Sequence, residues 1–167
     1  EFGQATIDSL LNPEMLEDAI VYHANYMKSS YVENQGEGKF AIRPLPMQAQ
    51  VAPLCGMLSR DVDQDGNLDL LLVGNNYGTE VFTGRLDAFK GLILRGDGKG
   101  GFEDVSLNRS GFYVPGDAKA LVELNSSQGS SVYLASQNQD SLVVMQPKRS
   151  EQGQSLQLQP QDAWAVA

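Results

Sequence analysis

The sequence contains a single cysteine, Cys55, and a single histidine, His23. One cysteine excludes an internal disulfide and every CxxC zinc or redox motif, and one histidine excludes a His-rich metal site. Basic charge is scarce as well: 12 Lys and Arg stand against 21 Asp and Glu in 167 residues, a net charge of −9. Apart from Lys148-Arg149 the cations are scattered singly, so the basic stripe needed to grip nucleic-acid phosphates is missing. Sugars, proteins and divalent cations remain as partners. The apolar runs, Leu70 to Val73 among them and none longer than five residues, are far too short to span a membrane. The chain opens at Glu1-Phe2 with neither an initiator Met nor a signal peptide, which reads as a mature fragment whose targeting information has been removed.

What is present is turn chemistry. Seventeen Gly and seven Pro accompany 41% hydrophobic and 20% charged residues, the profile of a turn-rich globular domain. At this length one domain is expected, burying about two-thirds of the surface of its unfolded chain. Residues 7 to 28 carry the one helical pattern. Asn12 is a candidate N-cap, Pro13 takes the first helical position, and Leu16, Ala19, Ile20, His23 and Met27 recur every three or four residues. The spacing predicts one amphipathic helix with His23 packed on its apolar face.

From Ser29 onward the pattern becomes short runs of Val, Leu, Tyr and Phe closed by Gly, Asn or Asp. Candidate strands are 30–33, 39–44, 54–61, 69–74, 91–95, 101–107, 119–125, 131–136 and 141–146. An internal repeat runs through them with an offset of 62 residues, placing Gly36, Gly38 and Phe40 over Gly98, Gly100 and Phe102. Gly74-Asn75-Asn76 falls on Ser136-Gln137-Asn138 in the same register. Four-stranded antiparallel units in tandem are the blades of a β-propeller. The expected organisation is an N-terminal helical segment (1–28), a first blade (29–90), a second, degenerate blade (91–146) and a tail (147–167) that could begin a third unit. Two units cannot close a ring of about four to eight blades, so the fold class is mainly β, a partial propeller with one N-terminal helix. The remainder of a larger propeller, or further subunits, would complete it.

The chemistry concentrates in Asp61-Val62-Asp63-Gln64-Asp65-Gly66-Asn67-Leu68-Asp69. Carboxylates at relative positions 1, 3, 5 and 9 would repel one another unless a cation sits between them. A glycine at position 6 permits the sharp turn, and the Asn67 carbonyl at position 7 can complete an oxygen cage suited to Ca2+. The candidate ligands are Asp61, Asp63, Asp65 and Asp69 through side chains and Asn67 through its backbone. The loop is not an EF-hand, because the twelfth position is Leu72 rather than Glu. The matching place in the second unit, 123–131, keeps one acid, and no calcium is expected there.

Other motifs carry less. Gly96, Gly98 and Gly101 fit GxGxxG, but a strand follows where a dinucleotide site needs a helix. Arg95-Gly96-Asp97 spells an adhesion tripeptide, yet it occupies the turn of the repeat. Asn108-Arg109-Ser110 and Asn125-Ser126-Ser127 fit the glycosylation pattern. No Ser lies in a GxSxG elbow, Cys55 lies in an apolar strand, and Glu103-Asp104 point to opposite faces of a strand. No catalytic residues are assigned. The segments Gly74 to Gly78 and Arg85 to Phe89 mix aromatics, amides and charges as a sugar- or peptide-binding surface does.

The chain resembles the FG-GAP or VCBS repeat, the calcium-clipped blade of integrin-α-like propellers. The resemblance rests on Asn34 to Phe40, on the Asp61 to Asp69 loop with Leu70-Leu71-Leu72-Val73-Gly74-Asn75, and on Gly96 to Phe102. More narrowly, Ser29 to Asn34, Gln50-Val51-Ala52-Pro53 and Pro115 to Leu121 resemble the C-terminal propeller region of bacterial FG-GAP proteins of the ASPIC/UnbV type, the match running over residues 7 to 146. The resemblance implies an exported protein, secreted, periplasmic or associated with the outer membrane. Its propeller would bind a protein or glycan partner while calcium holds a blade hairpin. The rival readings are the accessory end of a polysaccharide-degrading enzyme such as a lyase, with residues around Tyr77, Arg85 and Asp87, and a carbohydrate-binding module reported by Trp164 or tyrosine emission.

Overall fold

The computed structural model describes residues 2–6, 10–11, 13–125 and 131–147. Among them, nine strands form three open antiparallel sheets, none closed into a barrel. Strands β1 (Ser30–Gly36) and β2 (Lys39–Pro44) make a hairpin. Strands β3 (Leu54–Arg60), β4 (Asp69–Gly74), β5 (Leu92–Gly96) and β6 (Phe102–Val105) make a four-stranded meander, and β7 (Ala118–Asn125), β8 (Ser131–Gln137) and β9 (Val143–Met145) a three-stranded one. Each candidate strand is present, with its ends moved by up to a few residues. The run expected over 101–107 stops at Val105, because Leu107–Ser110 turns into a short helix closed by left-handed Gly111.

The apolar run of β4 has no polar alternation because the middle sheet is covered on both faces. Leu71 and Val73 look to one side, where Ile93 joins Leu121, Tyr133 and Ala135 of β7 and β8 together with Phe112, Val114 and Ala118. Leu72, Leu92 and Leu94 look to the other, against Leu45, Ala49 and Phe89, with Tyr31 and Phe102 at its margin. The Tyr31 and Phe102 rings meet edge to face at 5.6 Å. Charges fasten the layers at their rims: Arg43 donates to the Lys99 carbonyl at 2.8 Å, and Arg60 on β3 holds Glu123 on β7 through two contacts of 2.8 and 2.9 Å.

The repeat is visible in the backbone. Gly36 and Gly38 have φ of 83° and 74°, and Gly98 and Gly100 have 69° and 81°, so both hairpin turns use left-handed residues at the same two places. The hydrogen-bonded sheets are out of phase with the repeat by two strands. The boundary expected at 90/91 falls between β4 and β5, which pair directly.

The long amphipathic helix is not formed. Its described helical part is Pro13–Leu16 (α1), one further backbone bond joins Ala19 to Leu16, and residues 19–29 contain no helix. Ile20, Val21, Tyr22 and Met27 are each more than two-thirds exposed, and His23 is exposed instead of packed. The physical reason is that a segment of this length holds helical structure chiefly through tertiary packing, while Ile20, Val21, Tyr22 and Met27 pack on no sheet and Ile20-Val21-Tyr22-His23 are weak helix formers. Residues 7–9, the N-cap candidate Asn12, residues 126–130 and residues 148–167 with Trp164 lie outside the described residues.

Candidate metal centre

The acidic loop joins β3 to β4, where Arg60 pairs with Asp69 across the ladder. Two left-handed residues, Gln64 at φ 63° and Gly66 at φ 89°, curl the chain so that alternate side chains turn inward. Carboxylate oxygens of Asp61, Asp63 and Asp65 come within 4.8 Å of one another. The loop is held by its own acids: Asp63 accepts the Asp65 N–H at 3.3 Å, Asp65 the Asn67 N–H at 2.8 Å, and Asp61 the Gly66 N–H at 3.0 Å.

One oxygen of this group lacks a partner. Asp61 Oδ1 is buried and accepts no hydrogen bond, an arrangement that costs about 1–3 kcal/mol unless something satisfies it. Each pair of charges at this separation repels by about 1 kcal/mol in water and about 3 kcal/mol at an effective dielectric of about 20. Among the described residues the ion pairs of Lys and Arg go to Glu33, Glu37, Glu103, Asp117 and Glu123, so no side-chain cation offsets the three acids. Three converging carboxylates are hard oxygen donors that could hold a metal ion.

Asp69 and Asn67 stand apart from the trio. Asp69 is 1% exposed, and its two oxygens accept the Val62 N–H at 2.8 Å and the Gly96 N–H at 2.9 Å. It thereby ties the start of the loop to the end of β5. The Asn67 side chain lies against Gly98, where an added Cβ would sit 2.4 Å from its Oδ1. The spacing alone grouped Asp69 with the ligands. Its place as the first residue of a buried strand distinguishes it.

The adhesion-like and nucleotide-like motifs resolve into the β5–β6 turn. Asp97 Oδ1 accepts the N–H groups of Lys99 at 2.7 Å and Gly101 at 2.8 Å, bonds that hold its carboxyl below the ordinary 3.8. Arg95 pairs with Glu103 at 3.0 Å, and β6 follows where a dinucleotide site would place a helix.

A second polar cluster lies at the other end of β4, of which the sequence reading named Tyr77 and Arg85 but not Asp117 or Asn138. Asp117, 1% exposed, pairs with Lys119 at 2.5 Å and accepts the Asn138 amide at 3.2 Å. Burial alone would raise its carboxyl, but Lys119, Asn138 and the Tyr77 backbone hold it below 3.8. Its contribution to stability is therefore complete above the ordinary carboxylate range and disappears as pH falls below about 4. The Asp117→Asn variant is expected to lose part of the acid-side fall in thermal midpoint between pH 5 and 2.5, and an unchanged profile would contradict this role. Tyr77 and Arg85 of the rival reading do meet, with the guanidinium 4.8 Å from the ring centroid. Asp87 does not join them and has an exposed side chain. Asn138 is the repeat partner of Asn76, the sequence signal that pointed to its side of the cluster.

No protein-family model, no curated protein and no solved structure matches the chain.

Proposed function

We propose that the chain is a calcium-clipped portion of an FG-GAP or VCBS-type β-propeller, acting as a non-enzymatic interaction module. The observation that carries this reading is the convergence of Asp61, Asp63 and Asp65 within 4.8 Å around a buried, unpartnered Asp61 oxygen. Asp61, Asp63 and Asp65 supply side-chain ligands and Asn67 its carbonyl, while Asp69 braces the loop from behind. The role of the metal is structural. It joins acids that otherwise repel and fixes the β3–β4 hairpin.

The architecture supports the propeller half of the proposal. The middle sheet is a sequential four-stranded meander, packed on one face against β7 and β8 and covered on the other by Leu45, Ala49 and Phe89, with Tyr31 of the first hairpin at its margin. Both outer sheets also turn apolar residues away from it: Val32, Phe40 and Ile42 on one side, Val122, Leu124 and Val144 on the other, between 46% and 61% exposed. Such faces are what neighbouring blades cover in a propeller.

A calcium titration followed by amide NMR tests the metal assignment. Resonances of residues 61–67 are expected to shift and saturate with a Kd of about 0.1–1 mM, with magnesium at least tenfold weaker. Linear, unsaturated shifts up to 10 mM, or equal saturation in Asp63→Ala plus Asp65→Ala, would contradict it.

A further inference from the structure

We propose that the pocket at the far end of β4 binds an acidic sugar, its carboxylate held by Arg85 and its hydroxyls by Asp140 and Asn138. The cavity, about 360 Å³, is lined by Tyr77, Gly78 and Arg85 from the β4–β5 connection, Asp117 at the head of β7, and Asn138 and Asp140 from the β8–β9 turn. Its size lies at the lower end of the range of small-ligand sites, about 300–1,000 Å³.

The charges that line the pocket, Arg85 and Asp140 beside the Asp117–Lys119 pair, are not spent on one another, and that defines the ligand. Among the described residues Arg85 makes no ion pair, although two carboxylates line the same cavity. Its guanidinium rests on the Tyr77 ring, which fixes the plane and leaves its N–H fork free for a bidentate anion. Asp117 is already neutralised by Lys119 and occupied by Asn138, so it acts as a wall, holding the two loops at a set distance. Donating its amide to Asp117 leaves the Asn138 carbonyl oxygen as an acceptor. Asp140 uses one oxygen on the Ser141 N–H and keeps the other. One fixed cationic fork facing two hydrogen-bond acceptors matches a molecule with a carboxylate and neighbouring hydroxyls. The proposal names a ligand class for the interaction module above and is independent of its metal. The cavity and the acidic loop sit at opposite ends of β4, about 17 Å apart along the strand.

The test is an amide NMR titration in EDTA with sodium galacturonate, galactose, acetate and glycine, on wild type and on Arg85→Ala and Arg85→Gln. Galacturonate is expected to shift Gly78, Asn138 and Asp140 saturably. Galactose and acetate should bind at least tenfold more weakly, and both variants should lose tenfold or more while keeping the wild-type spectrum elsewhere. No saturable shift with galacturonate up to 50 mM, equal binding of galactose, acetate or glycine, or unchanged binding by the Arg85 variants would overturn it. Because the titration is run in EDTA, its failure leaves the calcium assignment standing, and failure of the calcium titration leaves this one standing.

Discussion

Replacing Asn75 by alanine is expected to lower the unfolding free energy by about 3 kcal/mol, a fall of about 6–12 °C in thermal midpoint for a chain of this size. The side chain is fully buried and uses all its hydrogen-bonding capacity on backbone from distant segments. Its Oδ1 accepts the Phe89 N–H at 2.9 Å, and its Nδ2 donates to the carbonyls of Phe89 at 2.8 Å, Gly116 at 2.9 Å and Pro115 at 3.3 Å. Its own N–H reaches the Pro53 carbonyl at 3.0 Å. Alanine leaves these groups buried without partners, each costing about 1–3 kcal/mol before water or relaxation offsets part of it. Asn75 also sits at φ 90°, so glycine at this position should be about 1 kcal/mol better than alanine. Urea unfolding of the three proteins measures both effects. A loss below 1 kcal/mol for Asn75→Ala would remove Asn75 as the joint between the middle and third sheets.

Asp69→Ala is expected to cost about 2–4 kcal/mol even in EDTA, because it strands the buried N–H groups of Val62 and Gly96. Asp63→Ala and Asp65→Ala behave differently. Both acids are exposed and lie in a like-charged group, so in EDTA their removal is worth within about 0.5 kcal/mol of nothing, or slightly stabilises. The contrast separates a bracing carboxylate from metal-facing ones. If Asp69→Ala were neutral in EDTA and abolished only the calcium response, Asp69 would be a ligand and the brace assignment would be wrong.

The strands were legible because their signal is local. Runs such as Leu70 to Val73, closed by Gly74, announce themselves, and the paired glycines of the two hairpins fix the repeat without any structure. The convergence of Asp61, Asp63 and Asp65 was legible for the same reason, since alternation and one glycine dictate the curl. The helix was misread because periodicity is a condition for packing and not packing itself: Ile20, Val21 and Met27 stay exposed, and Ile20 to His23 are weak helix formers. Asp69 was grouped with the ligands because sequence counts acids, whereas its role depends on β5 bringing Gly96 alongside. Asn75 reaches Phe89 and Gly116, 14 and 41 positions away, and Asp117 and Asn138 meet Tyr77 and Arg85 from 32 to 61 positions away, where only the packing of sheets brings them together. Of that cluster the sequence pointed to Tyr77 and Arg85 by composition and to Asn138 by its correspondence with Asn76 in the repeat.

The central claim is that calcium clips the β3–β4 loop, and thermal unfolding in 10 mM calcium against excess EDTA tests it most directly. With a Kd of about 0.1–1 mM, mass action adds about 1.4–2.7 kcal/mol, a rise of about 3–10 °C in midpoint. The rise should be absent from Asp63→Ala plus Asp65→Ala, whose midpoint in EDTA stays near that of wild type. Equal midpoints of the wild type with calcium and with EDTA, or an equal rise in the double variant, would contradict the account and leave the acidic loop a solvated turn.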